Sequence, residues 1–271
     1  MSYLLIIATY SAAQIALGVY VSRRLRGSSD FFVAGRALGP GMLAATLLAA
    51  NIGGGSTIGA AGRGFRDGFA AWWWVGSAGF GSIVLAWWIG PRIRRIAAEH
   101  ELNTVGDFLE WRYDARVRAT IAVLLWAGAV AILAGQLLSM SVVFTAAVGL
   151  SRTVGCVIAG AVATAYFAAG GLKSSVAVNV LQLTVKLLGF AIAFPLALSV
   201  AGGVDGLHAS IADPGQWNVV RNGASGWIYV PMLMPAFIVS PGLLQKVYGA
   251  RDDRAVRIGV GVNAAVLLMF A

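Results

Sequence analysis

The stretch Ala49-Ala50-Asn51-Ile52-Gly53-Gly54-Gly55-Ser56-Thr57-Ile58-Gly59 decides how this chain is read. It lies in the middle of an apolar run, residues 40–62, long enough for a bilayer crossing, which takes about 20 mainly apolar residues. Glycine is a poor helix former, and three in succession leave backbone carbonyls free to turn toward a ligand. In hydrocarbon, unwound backbone persists only where it lines a cavity or is buried in protein. Close helix packing through glycine is the structural alternative. Asn51 before the run and Ser56 and Thr57 after it favour a helix broken at mid-span, with a polar lining.

The rest of the sequence supplies the membrane. Of 271 residues, 59% are hydrophobic and 11% charged, against roughly 25% charged in soluble domains. The apolar residues form blocks that read as helices at 3–21, 40–62, 69–90, 117–148, 153–169, 174–201 and 226–245, with an eighth at 256–271 that meets the last residue. The fold class is all-α and polytopic. Sixteen residues in the eighth block make about 24 Å of helix, short of a core roughly 30 Å thick, so the chain is expected to be an incomplete fragment. Ala127, Gly128, Ala131, Ala134 and Gly135 recur at helical spacing on the fourth block and are expected to allow close packing. Trp72, Trp73, Trp74 and Trp227 are assigned to interfacial belts.

Charge sets the orientation. Arg23, Arg24, Arg26, Arg36, Arg92, Arg94, Arg95, Arg112, Arg116, Arg118, Lys173, Lys246, Arg251, Arg254 and Arg257 fall in one set of loops, and Arg63, Arg66, Arg152 and Arg221 in the other. The positive-inside rule then places the N-terminus outside, in a plasma (inner) membrane. Basic residues confined between apolar blocks suit a membrane flank rather than a nucleic-acid groove. On the basic side, Thr104 and Asp107 read as the start of a short amphipathic helix, while residues 202–226 read as one long outer loop.

Enzyme constellations are missing from this pattern. His100 and His208 fall on opposite sides of the membrane, Cys156 is the single cysteine, and none of the eleven carboxylates lies in a span. Gly53, Gly55 and Gly59 miss the dinucleotide spacing by one residue, and no GK[ST] follows them. Pro231, Pro235, Pro241 and Gly242 interrupt the seventh span as the glycines interrupt the second. Two broken helices five spans apart are the pattern of an inverted-repeat transporter, with its site between the breaks.

At this point the motifs resemble a known family, the sodium:solute symporters. Asp30-Phe31-Phe32-Val33-Ala34-Gly35-Arg36 is similar to its "DYFLAGR" entry into the second helix. Ala49 to Gly59 resembles its unwound helix. Gly170-Gly171-Leu172-Lys173 with Asn179-Val180-Leu181-Gln182 resembles its "GGL…TDxxQ" stretch, and Gln245-Lys246-Val247-Tyr248-Gly249-Ala250-Arg251 its "QRxxAAK" exit from the seventh helix. The glycine run is most like choline-transporting and uncharacterised branches. The resemblance implies a leucine-transporter-type core: one extra N-terminal helix, a first five-helix repeat and the start of the inverted second. It implies a Na⁺ site on the backbone carbonyls of Ala49 and Ile52, and a solute site at Asn51, Gly53, Gly54, Gly55, Ser56, Thr57, Gln136 and Ser240. No organic cofactor is expected; the partners are a small-molecule solute and the lipid bilayer.

Two departures from the family pattern matter. The usual aspartate of "TDxxQ" is Asn179, and Lys186 stands one heptad along the same helix. Residues seven apart share a face, so Asn179, Gln182 and Lys186 become coupling candidates. A charged residue at mid-span costs about 2.5–3.5 kcal/mol on insertion scales and usually faces the bundle interior. The expected function is sodium-coupled symport of a small polar solute by alternating access. The alternatives are proton-coupled symport using Lys186, its ammonium standing in for a cation, and a membrane solute-sensing module.

Overall fold

The computed structural model describes residues 2–23, 28–220 and 226–271. Arg24, Arg26 and Arg221, used above in the charge count, lie outside the described residues. The described residues form thirteen α-helices: α1 (Ser2–Ser22), α2 (Ser28–Val33), α3 (Pro40–Asn51), α4 (Ile58–Asp67), α5 (Trp72–Val84), α6 (Gly90–Glu99), α7 (Val105–Arg112), α8 (Ala115–Val148), α9 (Arg152–Val200), α10 (Gly203–Ser210), α11 (Tyr229–Val239), α12 (Pro241–Tyr248) and α13 (Asp253–Phe270).

Several boundaries differ from those expected, each for a local reason. The second span is α3 and α4 with residues 52–57 unwound between them, and α4 continues to Asp67 because the chain turns at Gly68, where φ is +66°. Trp74 bonds back to Gly55; nineteen residues of continuous helix would hold them about 28 Å apart, so α5 runs back along the break. The third span passes through a π-turn at Leu85–Ile89 into α6 and ends at Glu99, not Gly90. Pro91 is the second residue of α6, directly after the π-turn.

The fifth and sixth spans form one 49-residue element, α9. A straight helix of that length would reach about 74 Å, but Gly171 has φ +53° and Phe31 presses on it. A side chain at position 171 would meet Phe31 within 2.6 Å, so the turn takes glycine on both counts. Before it, Cys156 Sγ contacts Leu137 O of α8 at 3.4 Å. After it, Ser174 Oγ donates to Gly18 O of α1 at 3.0 Å. The seventh span bends by 40° between α11 and α12, and the outer loop contains α10 and a 3₁₀ turn at Pro214–Trp217.

The buried core gathers at the basic end, where Val33, Leu43, Leu85, Val176, Val247, Tyr248, Val256 and Val260 pack together. Arg36 ties that end: its guanidinium donates to Leu102 O at 2.9 Å and Tyr248 O at 3.3 Å, although its own φ is +52°. Leu38 pairs with the segment after α12, Leu38 N donating to Gly249 O at 2.9 Å and Arg251 N to Leu38 O at 3.0 Å. Thr104 caps α7 as expected from the spacing, accepting from Asp107 N at 3.1 Å while Asp107 Oδ2 accepts from Thr104 N at 2.8 Å. The small residues on α8 do not pack: Ala127, Ala131 and Ala134 are exposed, and Gly128 and Gly135 have no atom within 4 Å of a built Cβ. That stripe faces outward.

Candidate functional site

The unwound segment between α3 and α4 is held by its own hydroxyls. Ser56 Oγ accepts from Gly53 N at 2.9 Å and donates to Asn51 O at 2.6 Å, and Thr57 Oγ1 donates to Gly53 O at 2.8 Å. Two neighbours reach in from other helices: Gly54 N donates to Gln136 Oε1 of α8 at 2.8 Å, and Trp74 Nε1 donates to Gly55 O at 3.0 Å. The expected site residues Asn51, Gly53, Gly54, Gly55, Ser56, Thr57 and Gln136 thus stand together. Ser240 stands apart as the hinge between α11 and α12, its carbonyl accepting from Leu244 N at 2.9 Å.

The glycines differ in what surrounds them. A Cβ on Gly53 would lie 2.6 Å from Gln136 Nε2, and one on Gly54 would lie 2.3 Å from Ser139 Cβ; one on Gly55 meets nothing within 4 Å. Gly53 and Gly54 therefore let α8 approach the backbone closely, and Gly55 opens into free space.

The two carbonyls expected to hold Na⁺ already have a cation. Lys186 Nζ donates to Ile52 O at 2.7 Å and to Ala49 O at 3.1 Å. Ile52 has no exposed surface and Ala49 keeps 7%. The placement follows from how two helices align. The second half of α9 runs parallel to α3, so that Asn179 meets Thr46 and Lys186, two turns on, meets the carbonyls at the end of α3. Those carbonyls lack intrahelical donors because the helix stops at Asn51.

The other coupling candidates serve the helix joints. Asn179 Nδ2 donates to Thr46 Oγ1 at 2.8 Å, a fully buried bond from α9 to α3. Gln182 turns the other way and donates to Gln14 Oε1 of α1 at 2.6 Å. Ala49, Ile52 and Lys186 are brought together; Gln182 is not part of that group.

Three features escaped the sequence. Asn263 of α13, 1% exposed, accepts from Asn51 Nδ2 at 3.1 Å and donates to Ser82 Oγ of α5 at 2.9 Å. A lone asparagine in an apolar run is the signal that marks it, since polar groups in a span need internal partners. Arg63 of α4 lies over the Trp74 ring, 4.1 Å from its centroid, and bonds Tyr229 Oη. The tryptophans also hold carbonyls of other segments: besides Trp74, Trp72 Nε1 donates to Leu268 O at 3.2 Å and Trp73 Nε1 to Val219 O at 2.7 Å. Among the described residues no group of three His, Cys, Asp or Glu side chains converges on a metal position.

Backbone carbonyls and amides, two hydroxyls and one amide side chain thus meet at the break of a membrane helix. The family model described as "Sodium:solute symporter family" matches residues 31–271. The chain is 27% identical to the sodium/glucose cotransporter of Vibrio parahaemolyticus over 232 residues, covering 80% of this chain and 41% of that protein. It is 25% identical to the sodium/pantothenate symporter of Escherichia coli (strain K12) over 289 aligned positions, covering 97% of this chain and 57% of that protein. A solved Na⁺-coupled sialic acid symporter, in a substrate-bound outward-open state, superposes with TM-score 0.80 at 15% identity, over 98% of this chain and 58% of that one. The fold is the all-α, polytopic, leucine-transporter-type arrangement, and the chain spans about half the length of the proteins it matches. It belongs to the sodium:solute symporter family.

Proposed function

We propose that this chain forms the solute-binding portion of a symporter that carries a small polar solute by alternating access across the plasma (inner) membrane, N-terminus outside. The observation that carries this reading is the unwound segment 52–57 with Gln136 reaching its backbone from α8. The solute would sit against Asn51, residues 53–57 and Gln136, with Trp74 and Arg63 on the α4 side. Glucose, pantothenate and sialic acid, named for the related proteins, are all small polar molecules, which supports the class without choosing a member. The coupling ion that the family favours is sodium; on its first candidate seat, the carbonyls of Ala49 and Ile52, it would displace the Lys186 amine that holds both here.

The test is radiolabelled uptake by the gene product in proteoliposomes, screened across sugars, choline, proline, carboxylates and urea, with and without a sodium gradient. Accumulation of one solute, weakened by Gln136→Ala, is the expected result. A wild-type protein that accumulates a solute equally well after Gln136→Ala would move the solute seat elsewhere.

A further inference from the structure

We propose that the corner between the π-turn, α6 and α13 is a binding site for an anionic phospholipid, its phosphate held by Arg92, Arg95 and Arg257 and its chains laid along α13. The inference stands apart from the solute and from the coupling ion.

The corner encloses a cavity of about 310 Å³, lined by Trp87, Trp88, Pro91, Arg92, Arg95 and Arg257. Two close approaches build it. A side chain at Gly90 would press on Val256 Cγ1 at 2.8 Å, so α6 and α13 meet tightly there. A Cβ at Gly261 would lie 3.1 Å from Trp87 Cη2, so the indole leans on α13 and walls the cavity. Arg257 stands one turn before Gly261, on the same face of α13. The three arginines come from two helices and border one space, so a ligand there bridges α6 to α13.

Charge at the corner is unbalanced. Asp253 is shared, one oxygen taking Arg94 Nε at 2.8 Å and the other Arg95 Nε at 3.0 Å. Arg92 Nη1 donates to Trp88 O at 3.0 Å, a backbone acceptor without formal charge. Among the described residues, neither Arg92 nor Arg257 has a carboxylate partner. Four arginines thus meet one carboxylate. The missing counter-charge is an anion, and the guanidinium fork matches phosphate oxygens with paired N–H groups.

Two features choose a lipid over a free phosphate. Trp87 and Trp88 are 58% and 66% exposed at the rim, and tryptophan collects at the level of the headgroups. Arg92 follows Trp88 by four residues, about 6 Å along the helix on the side away from the hydrocarbon. On α13, Ile258, Val262, Ala265 and Met269 form an exposed apolar stripe that leads from Arg257 away from the basic end. Acyl chains gain by covering such a stripe, and a free phosphate does not. Basic pockets between spanning helices suit anionic headgroups for the same combination of reasons.

The test is native mass spectrometry of the purified gene product in neutral detergent, titrated with phosphatidylglycerol and separately with phosphatidylcholine of the same chains. Wild type should bind phosphatidylglycerol more tightly than phosphatidylcholine by about tenfold or more. Arg92→Gln and Arg257→Gln should each weaken phosphatidylglycerol binding by about fivefold. Arg116→Gln, which changes an exposed arginine at the start of α8, should leave it unchanged. Inorganic phosphate in large excess should not displace the lipid. In a second measurement, phosphatidylglycerol should raise the Tm of wild type and fail to raise that of the Arg92→Gln, Arg257→Gln double variant. Equal affinity for the two lipids, or equal losses at positions 92, 257 and 116, would overturn the proposal. Displacement by inorganic phosphate would overturn it in favour of a simple anion site. A gene product that binds neither lipid would mean that another part of the protein covers the corner, and would overturn it as well.

Discussion

Gly54→Ala is the sharpest test of how the break is packed. The new Cβ would stand 2.2 Å from Ser139 Oγ and 2.3 Å from Ser139 Cβ, where ordinary contact begins at 3.4 Å. The α8 helix or the unwound segment must therefore retreat by about 1 Å, and overpacking of this kind costs about 1–3 kcal/mol. The same retreat stretches the 2.8 Å bond from Gly54 N to Gln136 Oε1, losing about 1 kcal/mol more. The total of about 2–4 kcal/mol corresponds to a fall of roughly 5–15 °C in Tm for a protein of this size. Gly55→Ala, with nothing within 4 Å of its Cβ, is the internal control and should be neutral or slightly stabilising through its effect on the unfolded chain. Because Cβ as well as Oγ of Ser139 makes the clash, Ser139→Ala should not rescue Gly54→Ala, whereas Ser139→Gly should. The assay is thermal unfolding of the purified gene product in detergent. Equal losses at positions 54 and 55, or failure of Ser139→Gly to restore the double variant, would refute the packing argument.

Three further outcomes are expected. Asn263→Ala strands Asn51 Nδ2 and Ser82 Oγ in the interior and should lower stability by about 1–3 kcal/mol, read as a drop in Tm; a change within error would mean that the network carries little. Tyr248→Phe removes a hydroxyl that is fully buried and has no hydrogen-bond partner among the described residues, so Tm should hold or rise; a clear fall would point to an unseen partner. Asp252 caps α13, and the bond from Ala255 N at 2.6 Å, aided by Arg251, holds its carboxyl below the usual carboxylate range. Its contribution is present above the unfolded pKa of about 3.9 and fades as pH falls through the lower folded value. Asp252→Asn keeps a cap acceptor but should flatten that acid limb in a pH series of Tm.

The break was legible because Gly53, Gly54 and Gly55 conflict with a helix on local grounds that hold in any fold. Lys186 was legible as an anomaly, a charge in mid-span, but its target was not: reaching Ala49 and Ile52 depends on α9 turning at Gly171 and running back parallel to α3. Asn263 stayed hidden because one asparagine in α13 has no local conflict until Asn51 and Ser82 face it. Enrichment of tryptophan at interfaces is a statistical tendency, and it could not name the carbonyls of other segments that the indole N–H groups of Trp72, Trp73 and Trp74 bond. The small-residue stripe on α8 shows the same limit, since spacing marks a surface that can pack closely without naming what packs on it. Ser240 was chosen for its place in the interrupted seventh span, and the bend it makes there sets it apart from the α3 break.

The most direct measurement is an experimental structure of the gene product in sodium-rich buffer, at a resolution that separates a lysine side chain from an ion. The bridge from Lys186 to α3 predicts continuous density from its side chain to within hydrogen-bond distance of the Ala49 and Ile52 carbonyls, with no ion between them. A sodium ion resolved on those two oxygens, with the Lys186 side chain turned away, would contradict it.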